Sequence, residues 1–120
     1  MARILIIDDE KMLRDMLREI LQQAGHEIDE APDGKAGIER YSEAPTELVI
    51  TDLLMPHKDG IETIRELRRD FLDAKIIAIT GFRGRFNRLP AAQVLGVQRT
   101  LMKPFTQEEL LQAVEAVLAG

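Results

Sequence analysis

The sequence predicts an α/β fold: a doubly wound, five-stranded parallel sheet with helices on both faces. Short apolar runs alternate with amphipathic segments along the 120 residues, which is typical of consecutive βαβ units. Four of these runs end in polar residues, as strands of an open sheet do where it binds a ligand. Right-handed crossovers then favour the strand order 2-1-3-4-5. We expect a single domain over residues 1–120, since this is a usual domain length.

Five segments are predicted to form the strands. Four of them are short apolar runs, and the second in sequence is polar enough to lie at the edge of the sheet. The fourth is apolar throughout and is expected to be central. The predicted strands are residues 4–7, 26–30, 48–52, 76–80 and 97–102.

Five helices are predicted between and after these strands. Apolar residues recur at i, i+3, i+4 spacing over residues 11–24, and Gly25 suits a left-handed stop after them. Capping-box patterns open two further helices, at residues 59–62 and 106–109. With the five strands, this is the flavodoxin-like arrangement. The helices are expected over 11–24, after a turn at 32–34, over 59–71, over 90–96 and over 106–118.

The composition excludes several classes of protein. The chain has no cysteine, so disulfides and thiolate metal sites are excluded, and its two histidines lack a metal-binding spacing. A net charge of −5 and the lack of tryptophan argue against a general nucleic-acid-binding domain. No apolar stretch approaches the ~18–20 residues of a membrane span, and residues 1–4 show no signal-peptide pattern. We therefore expect a cytoplasmic protein without membrane contact.

Polar residues able to bind phosphate or a divalent metal follow the predicted strands. Asp8 and Asp9 follow the first strand, and Asp52 ends the third. Thr80 ends the fourth strand, and Lys103 follows the fifth. Because parallel strands share their carboxyl edge, these side chains are predicted to converge in one crevice. The pattern indicates a phosphoryl-transfer site in which the lysine and the threonine bind phosphoryl oxygens.

The predicted crevice holds more negative charge than its single lysine can balance. Two carboxylates about 4 Å apart repel by about 4 kcal/mol at an effective dielectric of about 20. Mg²⁺ takes hard oxygen ligands, so Asp8, Asp9 and Asp52 are predicted to bind it. The backbone carbonyl of Leu54 is the candidate for a further ligand. Asp52 is the candidate phospho-acceptor, because a carboxylate screened by a metal can form an acyl phosphate.

The chain resembles the receiver domain of two-component response regulators. The resemblance covers essentially the whole chain, with its parts in order and at the expected spacings. Each part alone is a weak signal, whereas the five together are specific. The matching positions are Asp8-Asp9, Asp52 with Met55-Pro56 and Asp59-Gly60, Thr80, and Lys103-Pro104-Phe105.

The resemblance implies a phospho-acceptor switch of a two-component phosphorelay, not an enzyme that turns over a substrate. Asp52 would accept a phosphoryl group from a phosphohistidine on a sensor histidine kinase or a histidine phosphotransfer protein, and would lose it by autodephosphorylation. The three aspartates would hold Mg²⁺, and the Lys103–Pro104 peptide bond would be cis. The signal would pass to a downstream protein target or to a removed output domain, and the family allows a dimer.

Two features depart from the family pattern. Thr100 stands three residues before Lys103, where receivers usually carry Tyr or Phe. We therefore predict that Thr80 responds to the phosphoryl group while Thr100 does not report the response. The segment 81–88 carries arginines and phenylalanines where receivers are more often acidic or small. It is either a specialised protein-binding surface or a solvated loop with one phenylalanine turned inward.

Two other functions are compatible with a strand-end aspartate. An aspartyl-phosphate hydrolase of the haloacid-dehalogenase type needs a second Asp two residues after the nucleophile, and this position is Leu54. That difference argues against a hydrolase. A degenerate receiver would bind partners without phosphorylation, and it would be expected to lack one of the five pocket residues. All five are present in this sequence.

Overall fold

The five predicted strands form one parallel sheet in the order β2-β1-β3-β4-β5. This confirms the α/β class and the order 2-1-3-4-5. The computed structural model describes residues 1–53, 60–81 and 95–120. The strands are β1 (Arg3–Ile7), β2 (Glu27–Ala31), β3 (Leu48–Asp52), β4 (Ile76–Gly81) and β5 (Arg99–Lys103).

Four helices lie in the described part of the chain. The predicted helix over residues 90–96 falls largely outside it, so that expectation stays a prediction. The helices are α1 (Lys11–Gln23), α2 (Gly34–Glu43), α3 (Gly60–Asp70) and α4 (Gln107–Ala119).

Capping hydrogen bonds at two helices and a left-handed glycine at a third explain where these helices begin or end. Thr106 and Glu109 form the predicted capping box of α4, with two reciprocal bonds of 3.0 Å between side chain and backbone. Asp33, predicted only as part of a turn, caps α2 by accepting a 2.8 Å bond from the Ala36 N–H. Gly25 follows α1 with a φ of 95°, the left-handed conformation that was expected there.

Apolar layers cover both faces of the sheet. Successive residues of a strand point to opposite faces, so each central strand contributes to both layers. A fully buried Leu or Ile contributes about 1.5–3 kcal/mol, so these layers fix the positions of the strand ends. Helices α2 and α3 pack over one face with Leu5, Ile7, Val49, Leu53, Ile64, Leu67 and Ala78. Helices α1 and α4 pack over the other with Ile4, Ile6, Leu17, Leu21, Ile50, Ile77, Ile79, Leu110 and Val114.

The boundaries of four strands differ from the predicted ones by one or two residues, whereas those of β3 agree. The last strand begins at Arg99, two residues later than expected. Just before it, the Gln98 side chain accepts the Ile76 N–H at 2.8 Å and an Arg68 N–H at 3.0 Å. Such shifts are ordinary at element ends and leave the polar strand ends at one edge.

Candidate functional site

The carboxyl ends of four strands meet at one edge of the sheet and carry the predicted site residues. Asp8 follows β1, and Asp52 is the last residue of β3. Parallel pairing places Asp52 beside Ile79 of β4 and Gly81 beside Lys103 of β5. The strand register therefore brings residues far apart in sequence to the same edge.

Asp8, Asp9 and Asp52 come together as the sequence predicts. One carboxylate oxygen from each lies within 4.8 Å of the other two. The first and third are almost fully buried, with 1% and 6% of their surface exposed, whereas Asp9 faces solvent. Two of the acidic side chains are thus buried in the fold, and the third lies on the solvent-exposed side of the site.

The donor set of this cluster fits Mg²⁺. Its three carboxylates are hard oxygen ligands of the kind this ion prefers. Oxygens that share one Mg²⁺ at about 2.0–2.1 Å lie roughly 3–4 Å apart, which the cluster reaches with small side-chain movements. The predicted carbonyl ligand, Leu54, lies outside the described residues, so its role stays a prediction.

Lys103 supplies positive charge directly to the predicted phospho-acceptor. Its Nζ atom lies 3.3 Å from Oδ2 of Asp52, and the lysine side chain is 30% exposed. The ammonium can therefore reach both the carboxylate and a group arriving from solvent. The Lys103–Pro104 peptide bond is cis, which confirms the expectation from the resemblance.

The Asp8 carboxyl has a perturbed protonation equilibrium. Burial is the main cause that raises its pKa to about 6, and the charges of Asp52 and Asp9 act in the same direction. A hydrogen bond from the Glu10 N–H and the charge of Lys103 lower the pKa and only partly offset this effect. In the described part of the chain, Lys103 is the lysine that acts on these three carboxylates, and one positive charge does not balance them. A dication would therefore stabilise the charged form of the site.

Thr80 lies at the same edge with its side chain buried. No part of this residue is exposed, and its hydroxyl donates a long, 3.3 Å hydrogen bond to the Gly81 carbonyl. Thr100 lies further down β5, paired with Ala78, and is half-buried. The hydroxyl of Thr80 therefore has a weak local partner that a stronger acceptor can replace.

Gly60 is a site-forming residue that sequence reasoning missed. Its N–H donates a 3.0 Å hydrogen bond to the Leu53 carbonyl, so α3 begins against the end of β3. A Cβ at position 60 would collide with the Asp52 carbonyl oxygen and would lie 2.5 Å from the Leu53 Cα. Only glycine permits this approach. The Asp59-Gly60 pair is part of a predicted helix start and of the family resemblance, but neither interpretation indicates the close approach of the two backbones.

Several sequence predictions fall outside the described residues. They include most of the loop segment 81–88, most of the helix predicted over 90–96 and the capping aspartate Asp59, in addition to Leu54. Among the described helices, none has the length and apolar character needed to cross a membrane.

Comparisons with known proteins agree with this geometry. The response regulator receiver domain family matches residues 4–115. The chain is 34% identical over 118 residues to a chemotaxis protein CheY of Halobacterium salinarum, and the match covers 98% of both chains. The chain thus has a relative of matching length among chemotaxis proteins.

Two solved structures are similar over nearly the whole chain. A response regulator receiver domain protein from Clostridium thermocellum superposes with a TM-score of 0.92 at 28% identity, covering 99% of this chain and 95% of that one. The response regulator TrrA of Thermotoga maritima, in complex with Mg²⁺ and BeF, gives 0.86 at 33% identity, covering 98% and 99%. The chain therefore belongs to the response regulator receiver domain family, whose members are switches of two-component signalling and not turnover enzymes.

Proposed function

We propose that this domain is a phospho-acceptor switch in which Asp52 receives a phosphoryl group from a phosphohistidine. The donor would be a sensor histidine kinase or a histidine phosphotransfer protein. The observation that carries the proposal is the buried Asp52 carboxylate, which lies within 4.8 Å of Asp8 and Asp9 and 3.3 Å from the Lys103 ammonium. That arrangement combines a nucleophile, a candidate Mg²⁺ site and a cation for the phosphoryl group.

The proposed transfer exchanges one bond to phosphorus for another. A carboxylate oxygen of Asp52 attacks the phosphorus, and the P–N bond to the donor imidazole breaks. The nitrogen leaves with the bonding electron pair and takes a proton from solvent, so an acyl phosphate remains on Asp52. Lys103 is near enough to the acceptor to hold a phosphoryl oxygen. Mg²⁺ on Asp8, Asp9 and Asp52, with the carbonyl of Leu54, would screen the carboxylates from the incoming oxygens.

The Thr80 hydroxyl is the proposed detector of the modified state. It would give up its 3.3 Å bond to the Gly81 carbonyl for a charge-assisted bond to a phosphoryl oxygen. Because Gly81 pairs with Lys103, this exchange would shift the ends of β4 and β5 together. Such an exchange between two sets of partners makes a two-state switch.

We also infer a cytoplasmic location and a protein partner for the output. The net charge of −5 favours a protein partner over nucleic acid. The output would be a downstream protein or an attached output domain. The domain could also act through a dimer.

The direct test is chemical modification with a small phosphodonor. The protein would be incubated with acetyl phosphate and Mg²⁺, and tandem mass spectrometry would locate an acid-stable, base-labile phosphoryl group. We expect it on Asp52 in the wild type and expect no adduct in Asp52→Asn. A folded wild type that takes up no phosphoryl group would instead favour the degenerate receiver, which binds partners without modification.

A further inference from the structure

Two hydrogen bonds shape the turn between β1 and α1, where two of the candidate metal ligands lie. The Asp8 carboxylate accepts a 2.8 Å bond from the Glu10 N–H, which closes an Asx turn. The Asp8 carbonyl oxygen accepts a 2.6 Å bond from Nη1 of Arg14. That carbonyl belongs to the peptide joining Asp8 to Asp9, so the guanidinium fixes the plane from which the Asp9 side chain departs.

Arg14 is itself held from the neighbouring strand. Its Nε lies 3.5 Å from Oε1 of Glu30 in β2, and the two side chains are only 16% and 25% exposed. The second carboxylate oxygen of Glu30 takes a 2.6 Å bond from Arg18, one turn further along α1. Glu30 thus binds both arginines, of which only Arg14 reaches the Asp8 carbonyl among the bonds of the described residues.

We propose that Arg14 is a positioning residue for Mg²⁺ binding, oriented by Glu30, which holds the Asp8–Asp9 peptide so that both carboxylates face the same ion. This inference rests on the proposed function, because it assigns a role within that metal site. Residues that orient metal ligands commonly change metal affinity by about 10- to 100-fold when they are replaced.

Because Arg14 is charged, the direction in which Mg²⁺ affinity changes when Arg14 is replaced tests the inference. A guanidinium near a cation site repels the cation, so removing its charge alone would tighten Mg²⁺ binding. Removing a positioning contact would weaken binding, because Asp9 is exposed and would lose its fixed direction. The Glu30 carboxylate lies beside Arg14 and offsets part of its charge, which reduces the electrostatic repulsion between Arg14 and the ion.

The test is calorimetric titration of the full chain with Mg²⁺ in wild type, Arg14→Gln and Arg18→Gln. We expect Arg14→Gln to bind Mg²⁺ about 10-fold more weakly. Arg18→Gln is the matched control, because it removes the same charge from the same helix and also loses a bond to Glu30. It should change the affinity by less than about twofold, since exposed charges are screened by salt.

Further measurements separate positioning from general loss of structure. Arg14→Lys keeps a donor for the Asp8 carbonyl but cannot be held in the same way by Glu30, so it should restore part of the lost affinity. The backbone amide resonances of Asp9 and Glu10 should shift in metal-free Arg14→Gln and not in Arg18→Gln. Thermal melting shows whether each variant is folded. If Arg14→Gln is not folded, the single variants Arg14→Lys and Glu30→Gln replace it in the comparison with wild type.

The outcomes distinguish this inference from the proposed function. A folded wild type that binds no Mg²⁺ would overturn the proposed function and this inference with it. If the wild type binds Mg²⁺ and folded Arg14→Gln binds it equally well or more tightly, the proposed function stands and the positioning role is wrong.

Discussion

The Asp8 carboxylate is buried, which is rare for a charged group in a protein. Only 1% of its surface is exposed, and two other carboxylates lie within 4.8 Å of its own. Its pKa of about 6 means that near neutral pH the folded protein holds a charge that burial disfavours. The acidic site is therefore built at the expense of fold stability, as functional sites often are.

We predict that the metal-free protein loses stability as the pH rises through the pKa of Asp8. The pKa of Asp8 in the folded protein, about 6, lies above the ordinary 3.8. The protonated carboxyl group therefore contributes to the free energy of unfolding fully below pH 3.8, and this contribution is lost as the pH rises through 6. The loss should reach about 3 kcal/mol at most. Urea unfolding of wild type and Asp8→Asn between about pH 4 and about pH 7 measures it. An equal pH dependence in Asp8→Asn would show that another group is responsible.

The Thr80 hydroxyl should control the response to phosphorylation while the transfer itself continues. In Thr80→Ala we expect acetyl phosphate to modify Asp52, but the modification should no longer shift the amide resonances of Gly81 and the last residues of β5. Thr100→Ala should keep these shifts, because Thr100 is predicted not to report the response of Thr80. Loss of the shifts in Thr100→Ala to the same extent as in Thr80→Ala would contradict this assignment.

At the scale of secondary-structure elements, the site depends on how closely α3 approaches the end of β3. The N–H of Gly60 bonds to the Leu53 carbonyl at 3.0 Å, and the absent side chain leaves room for the backbone of Asp52. Burial of Ile64 and Leu67 holds the helix in this position. The carboxylate at the strand end is thus fixed by a helix as well as by the sheet.

Gly60→Ala is predicted to lower the free energy of unfolding by about 1–3 kcal/mol, because its Cβ overlaps the backbone of Asp52 and Leu53. Gly81→Ala is the matched control at the same edge. Among the described residues, its Cβ would meet only the Lys103 side chain, at 3.9 Å, which is an ordinary contact. Chemical unfolding of both variants measures the difference. Equal stability of Gly60→Ala and wild type would mean that α3 can move away from the end of β3 without a loss of stability.

At the scale of the whole molecule, alternating apolar runs and helix periodicity predicted the sheet and its order. Strand-end residues such as Asp52 and Lys103 could be placed together because parallel strands share one carboxyl edge. The crowding at Gly60 could not be predicted, since it depends on the distance between two packed backbones. The contact from Arg14 to Asp8 also lies beyond sequence patterns, because it depends on side-chain direction across β1, α1 and β2.

The central claim, metal-dependent phosphorylation of Asp52, is tested most directly by intact-mass measurement after exposure to acetyl phosphate, with Mg²⁺ or with a chelator. We predict one phosphoryl group on the wild type with Mg²⁺, almost none once the metal is removed, and none on Asp52→Asn under either condition. An adduct that forms equally well with the chelator, or that persists in Asp52→Asn, would contradict the account.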